Sequence, residues 1–222
     1  MVVLAAGRGR RMGGPKALMV VDGEPWWRWQ ERKLVGYGLV PRWVVSADVA
    51  AAMQGHESTP GCLVTSEPDA PMFVSVLLGL ASAPDVERGV FILPVDTPAP
   101  RMEHWFVLAG SGRPAHPECE GKGGHPLFLP GEWIRASLGE RLARVRARGV
   151  DDADHADRLD KLVEGARLAV PVDDPAVVCN LNTPADLDAG QPANGESPSR
   201  TAGGASGSRA YRRAVPVLGP GG

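Results

Sequence analysis

The stretch MVVLAAGRGRRMGGPK, residues 1–16, constrains this chain more than any other. Met1 to Leu4 is an apolar run of the length of one buried strand. Glycines at 7, 9, 13 and 14 then let the backbone close round a ligand where side chains would collide. Arg8, Arg10, Arg11 and Lys16 place four cations within nine residues, and no acid precedes Asp22. A flexible, cationic loop rich in free N–H groups is suited to a polyphosphate.

Three phosphate-loop patterns compete for these residues. A Walker loop, G-x-x-x-x-G-K-[ST], finds its glycines in Gly9 and Gly14, but Pro15 interrupts it and Ala17 replaces the hydroxyl. A dinucleotide fingerprint, G-x-G-x-x-G, finds Gly7 and Gly9 and meets Met12 at its third glycine. The pattern L-A-A-G-x-G-x-R-M-G-x-P-K fits at every position, from Leu4 to Lys16. It resembles the signature loop of the MobA-like NTP transferase family, the nucleotidyltransferases that include the molybdopterin cytidylyl- and guanylyltransferases. A solvated Gly/Arg turn is the plain alternative, and it leaves so long a match unexplained.

Composition narrows the class. With 222 residues, 43% hydrophobic and 23% charged, the chain has the makeup of an ordinary globular protein with room for one full domain. A net charge of −2 gives no general pull toward nucleic acid or a membrane surface, so attraction for phosphate must be local. Cys62, Cys119 and Cys179 are far apart and form no C-x-x-C pair, which points to neither a disulfide framework nor a thiolate zinc site. A reduced, cytoplasmic setting is expected. No apolar run reaches the roughly 20 residues of a membrane span. The arginines follow the first apolar residues, so a secretory signal is not expected.

Further along, apolar runs alternate with helical patterns. Asp22 to Pro25 predicts a turn, with Pro25 opening a helix to about Tyr37. Trp26 and Trp29 share a face of that helix, which favours a core or subunit contact over a ligand site. Strands are expected at 43–46 and 61–65, with a short helix over 49–53 between them and an apolar helix over 72–81. Ser75 lies near the start of that last helix, where its hydroxyl could cap a backbone N–H. The strand Gly89–Val95 ends in Asp96-Thr97-Pro98. In an open α/β sheet that end faces the ligand, and a carboxylate there can hold Mg²⁺ against phosphate oxygens. His116, Cys119 and His125 fit no zinc spacing, and Gly124-His125-Pro126 runs into a strand at 127–129. The basic helix over 131–148 is expected to present a solvated face rather than bind nucleic acid. A strand is expected over 168–172 and another at Val177–Leu181, leading to a helix capped at Asn182 or Thr183.

The resemblance covers residues 1–187 and adds roles. It implies a Rossmann-like three-layer α/β/α sandwich with a mostly parallel sheet, followed by a tail, 188–222, whose Gly/Ser/Pro/Arg composition predicts disorder. It implies transfer of a nucleoside monophosphate from an NTP to a phosphorylated small-molecule acceptor, molybdopterin first, with pyrophosphate released. Leu4, Ala5, Ala6, Gly7, Gly9 and Ser75 would bind the nucleotide, with Arg11 and Lys16 on its phosphates. Asp96 would be catalytic and bind Mg²⁺ with Asn182, and Gly124 and His125 would meet the acceptor. Asn180 and Asn182 stand where relatives often carry a second carboxylate. Ala6, as in L-A-A-G, favours CTP over GTP. A molybdoenzyme or its chaperone is the macromolecular partner that the resemblance implies. A sugar- or polyol-phosphate transferase and a non-catalytic nucleotide-binding chaperone are the rival readings.

Overall fold

Strand β1 (Val2–Ala5) is buried along its whole length and lies inside an eight-stranded sheet. The computed structural model describes residues 1–57, 59–182 and 186. The tail expected at 188–222, including its basic stretch 208–213, lies outside the described residues, as do Thr183, Pro184, Ala185 and Leu187 of the closing motif.

β1 pairs in parallel with β4 (Arg42–Val45) on one side and β6 (Val90–Pro94) on the other. β5 (Leu63–Thr65) extends the β4 side in parallel. Beyond β6 come β9 (Leu127–Leu129), β7 (Ala115–Cys119) and β10 (Leu168–Pro171), with β8 (Lys122–Gly123) in a hairpin on β7. β9 runs antiparallel to both neighbours, so the sheet is mixed but mostly parallel. The β7–β8 hairpin falls in a stretch where Pro114 and Pro117 mask the strand pattern. A second, two-stranded sheet, β2 (Val20–Val21) and β3 (Glu24–Pro25), forms about the turn expected at Asp22.

Alternation along the strands creates two cores. Val3, Ala5, Trp43, Val45 and Leu93 face one side, where α1 (Trp26–Gly36) and α2 (Ala47–Gln54) bring Trp26, Trp27, Leu34 and Met53. Val2, Leu4, Val44 and Ile92 face the other, covered by α3 (Met72–Ser82), α5 (Gly131–Arg148) and α7 (Leu159–Val163). The tryptophans therefore serve the core, each large side chain contributing about 1.5–3 kcal/mol by burial. Gly79 allows α3 to lie close on β1, because a Cβ there would stand 2.5 Å from Val2 Cγ1. That approach brings Ser75 to the end of the strand. Helix α4 (Met102–Ala109) follows the Asp96 turn.

Two expectations need correction. Pro175–Val178 is a 3-10 turn, not a strand: the Asp174 side chain accepts from Ala176 N–H, and Pro175 fixes a helical φ at its start. The basic face of α5 is not simply solvated. Arg141 and Arg144 turn onto the acids of α6 (Asp152–Ala156) and its flanks, where Asp154 is fully buried between them. Among the described residues no helix is long and apolar enough to cross a membrane.

Candidate active site

Chain direction places the site. After β1 the chain moves outward to β4 and β5, then crosses back to β6 on the opposite side of β1. The crevice outside the carboxyl ends of β1 and β6 is thus a topological switch point, the usual ligand position in open α/β sheets. Two loops meet there: residues 6–16 after β1, and Val95 onward after β6.

The first loop is held by its own backbone. Gly9 O accepts N–H groups from Met12 at 2.8 Å and Gly14 at 3.3 Å, and Met12 is buried in the core beneath. Gly9 has φ +59°, and a Cβ on it would stand 1.9 Å from Gly14 O. Only glycine satisfies both demands. The loop encloses a cavity of about 270 Å³ against the 66–72 segment and the end of β6. Leu4, Ala5, Ala6, Gly7, Gly9 and Lys16 form one wall, Pro68, Ala70 and Ser75 the other, with Pro94 to Asp96 below. Ser75 Oγ lies 2.9 Å from Ser66 Oγ, tying α3 to that second wall.

Lys16 spans the cavity floor. Its Nζ donates to Asp96 Oδ2 at 2.8 Å and to Asn182 Oδ1 at 3.0 Å, and both ends of the ion pair are largely buried. The two oxygens therefore converge on one point. One carboxylate and one amide oxygen are hard donors that suit Mg²⁺ or Mn²⁺, which takes few protein ligands when phosphates complete its shell. Among the described residues no group of three His, Cys, Asp or Glu gathers as a metal site, so further ligands would come from substrate. Asp186 Oδ2 accepts Asn182 N–H at 2.9 Å and steadies that residue.

The arginines are deployed differently. Arg8 forms a two-point ion pair with Asp69 across the mouth of the cavity, and Arg10 approaches the same carboxylate at 3.7 Å. The Arg8 hydrogen bonds hold the Asp69 carboxyl below its ordinary value. Arg11 stands exposed on the 3-10 turn Arg10–Met12 and does not line the cavity. Sequence reasoning misses Asp69 because Ser66 to Pro71 carries only a turn signal; its role depends on a partner 61 residues away.

A second cavity, about 290 Å³, opens on the other side of Asp96. It is lined by Asp96, Thr97, Gly124, His125, Cys179 and Asn180, among others. Gly124 packs against the 3-10 turn, where a Cβ would stand 2.1 Å from Val177 O, and His125 N–H donates to Val177 O at 2.8 Å. Behind His125 lies a smaller apolar cavity of about 100 Å³ that also touches His116, Leu127 and Val163. Burial pushes the pKa of both histidines down; Asp96 opposes this at His125, while His116 adds to it. The Nδ1 atoms of His116 and His125 are buried without a partner among the described residues. Burial likewise raises the Cys179 thiol, with Asp186 and Asp96 adding to it.

Comparison with known proteins gives the same picture. A family model described as the MobA-like NTP transferase domain matches residues 1–161. No curated protein matches the chain. Among solved structures, a nucleotidyl transferase from Methanothermobacter thermautotroptrophicus superposes with a TM-score of 0.60 at 20% identity, over 85% of this chain and 93% of its own. Rv0371c of Mycobacterium tuberculosis in complex with manganese gives 0.54 at 20% identity, over 77% and 87%. Molybdopterin-guanine dinucleotide biosynthesis protein A of Archaeoglobus fulgidus gives 0.53 at 16%, over 85% and 95%. At these identities the likeness is one of fold.

Proposed function

The chain belongs to the MobA-like NTP transferase family, and from that premise we propose that it transfers a nucleoside monophosphate to a phosphorylated small-molecule acceptor, releasing pyrophosphate. One observation carries the reading. Two cavities, one under the glycine loop and one beside His125, are both lined by Asp96. A donor and an acceptor held in them would meet at that residue, which is the positioning a phosphoryl-type transfer requires.

In this reading Leu4, Ala5 and Ala6 hold the base through the backbone, and Ser75 lies at the nucleotide wall. Lys16 exchanges Asp96 and Asn182 for phosphate oxygens when the triphosphate enters. Arg11, exposed outside the cavity, would meet only a triphosphate tail that extends beyond it. Asp96 and Asn182 would hold a divalent cation, Mg²⁺ by preference, whose contribution is to neutralise phosphate oxygens and the developing charge. Gly124 and His125 bound the acceptor. A neutral His125 orients through hydrogen bonds and leaves the acceptor phosphate free to attack without a general base.

Gly124-His125-Pro126, matching the motif beside the acceptor in the molybdopterin transferases that the chain resembles, supports molybdopterin as the acceptor over a sugar phosphate. Ala6 supports CTP over GTP, since its methyl narrows the space for a purine; one methyl is worth about 1–3 kcal/mol, so the preference is partial. We assign the catalytic unit to residues 1–187, with the segment 188–222 taking no part in the chemistry. A molybdoenzyme or its chaperone is the partner such a product would need.

Pyrophosphate release tests this directly. With a panel of triphosphates and phosphorylated acceptors, including molybdopterin and sugar phosphates, release is expected with CTP and molybdopterin, and less with GTP. Release only with a sugar or polyol phosphate would move the protein to another branch of the fold. Nucleotide binding without release on any acceptor would favour a chaperone.

A further inference from the structure

The turn that carries Asp96 is unusual in being buried. Residues 95–101 belong to no helix or strand, yet Val95, Thr97, Pro98, Ala99 and Pro100 are all buried. Irregular backbone normally runs on the surface, because buried N–H and C=O groups must find partners. Here β1, the end of β6 and α4 satisfy Val95 N–H, Thr97 N–H and Pro100 O, and one stripe of α1 supplies partners for four more groups. Trp26 Nε1 donates to Val95 O at 2.7 Å, before Asp96. Gln30 Nε2 donates to Thr97 O at 2.8 Å, and Gln30 Oε1 accepts from Ala99 N–H at 2.9 Å, after it. Lys33 Nζ donates to Ala99 O at 2.5 Å. Positions 26, 30 and 33 share one helical face.

Gln30 is the informative member. It has 0% exposure on a helix whose other buried residues are Trp26, Trp27 and Leu34, and an apolar residue would serve that packing better. A side-chain amide is suited to this place because it both donates and accepts, bridging Thr97 and Ala99. Asp96 O is fixed in turn by Leu181 N–H at 2.8 Å. The carboxylate is thus gripped through its own backbone from both sides. We propose that Gln30 is a positioning residue that, with Trp26, locks the buried turn so that the Asp96 carboxylate stays aimed at the junction of the two cavities. As far as it concerns metal, the inference rests on Asp96 being the ligand for the divalent cation.

The test uses the 222-residue chain and the variants Gln30→Met, Gln30→Glu and Asp96→Asn. Mn²⁺ is titrated in the presence of CTP and followed by its electron paramagnetic resonance signal. Gln30→Met is expected to weaken Mn²⁺ binding about tenfold, the effect of losing a residue that orients a ligand, with metal-free CTP binding changed less than about twofold. Amide exchange at 95–99 should accelerate in that variant. In Gln30→Glu burial of the introduced carboxyl raises its pKa against the pull of the nearby Lys33 ammonium, and its neutral acid form reproduces the amide's donor and acceptor. Mn²⁺ affinity of Gln30→Glu, relative to wild type at each pH, should therefore be near normal at low pH and fall as pH rises; this profile carries the test if Gln30→Met does not fold. Wild-type Mn²⁺ affinity with unchanged exchange in Gln30→Met overturns the proposal, as does an equal loss of metal-free CTP binding. Equal Mn²⁺ affinity in wild type and Asp96→Asn would sink the metal role of Asp96 instead. The exchange rates at 95–99 would then decide the lock by themselves: faster exchange confined to that segment upholds it, and unchanged exchange ends it.

Discussion

The ammonium of Lys16 bonds Asp96 and Asn182, partners 80 and 166 residues away, and joins the two ends of the domain at one point. A cation so held can move to phosphate oxygens at little cost where a divalent ion takes its place, since carboxylate and amide oxygens are hard donors. The arginines of the same loop differ, because Arg8 and Arg10 are engaged by Asp69 on an exposed rim where ion pairs add little. Lys16→Ala is therefore expected to weaken triphosphate binding by about 1.5–3 kcal/mol, the worth of a charged hydrogen bond, with the free nucleoside nearly unaffected. Calorimetric titration of CTP and cytidine separates the two; equal losses would show that Lys16 does not read phosphate.

At the scale of elements, α5 and α6 are joined by charge rather than by apolar contact alone. Asp151 and Asp154 form a capping box at the start of α6, and Arg144 bonds both carboxylates. Arg141 adds a contact to Asp154 and lies over the Phe73 ring of α3. Burial tends to raise the Asp154 carboxyl, but the Arg144 hydrogen bonds and the Asp151 N–H hold it below its ordinary value. Removing Asp154 takes away the capping-box acceptor and one of two carboxylates on each arginine, which keep Asp151 and Asp157. Asp154→Ala is expected to destabilise the protein by about 1–3 kcal/mol, whereas the exposed Asp152→Ala should stay within about 0.5 kcal/mol. Urea unfolding of the two variants measures this, and similar midpoints would mean that the network is only a surface feature.

For the whole molecule, pH is the informative variable. His116 and His125 are held neutral by burial, with pKa values lowered from 6.5. Below that value the unfolded chain takes up protons that the native state refuses, so stability falls as pH drops through it. The contribution is fully present only about one unit above that value, at about pH 7.5, and carboxylates such as Asp154 lose theirs only near pH 4 and below. Unfolding free energy should therefore decline between about pH 7.5 and about pH 5.5, and His125→Gln should flatten that decline. An unchanged slope in the variant would place the proton uptake elsewhere.

Local physics made much of this protein legible in the sequence. The apolar run before Gly7, the alternation of buried strands with helices, and Asp96 at a strand end all follow from burial periodicity and turn chemistry within a few residues. So does Gly9, whose positive φ and close approach to Gly14 O are demands of one short loop. The 3-10 turn at Pro175–Val178 escapes such reading, because two valines suit a strand until Asp174 and Pro175 decide otherwise. What only the tertiary structure decided were pairings across the chain: Lys16 with Asp96 and Asn182, Arg8 with Asp69, Gln30 with the Asp96 turn, and β9 running against its neighbours. Each depends on which segments the closed fold brings together. A residue's type states what bonds it can make, and the packing of distant elements chooses the partner.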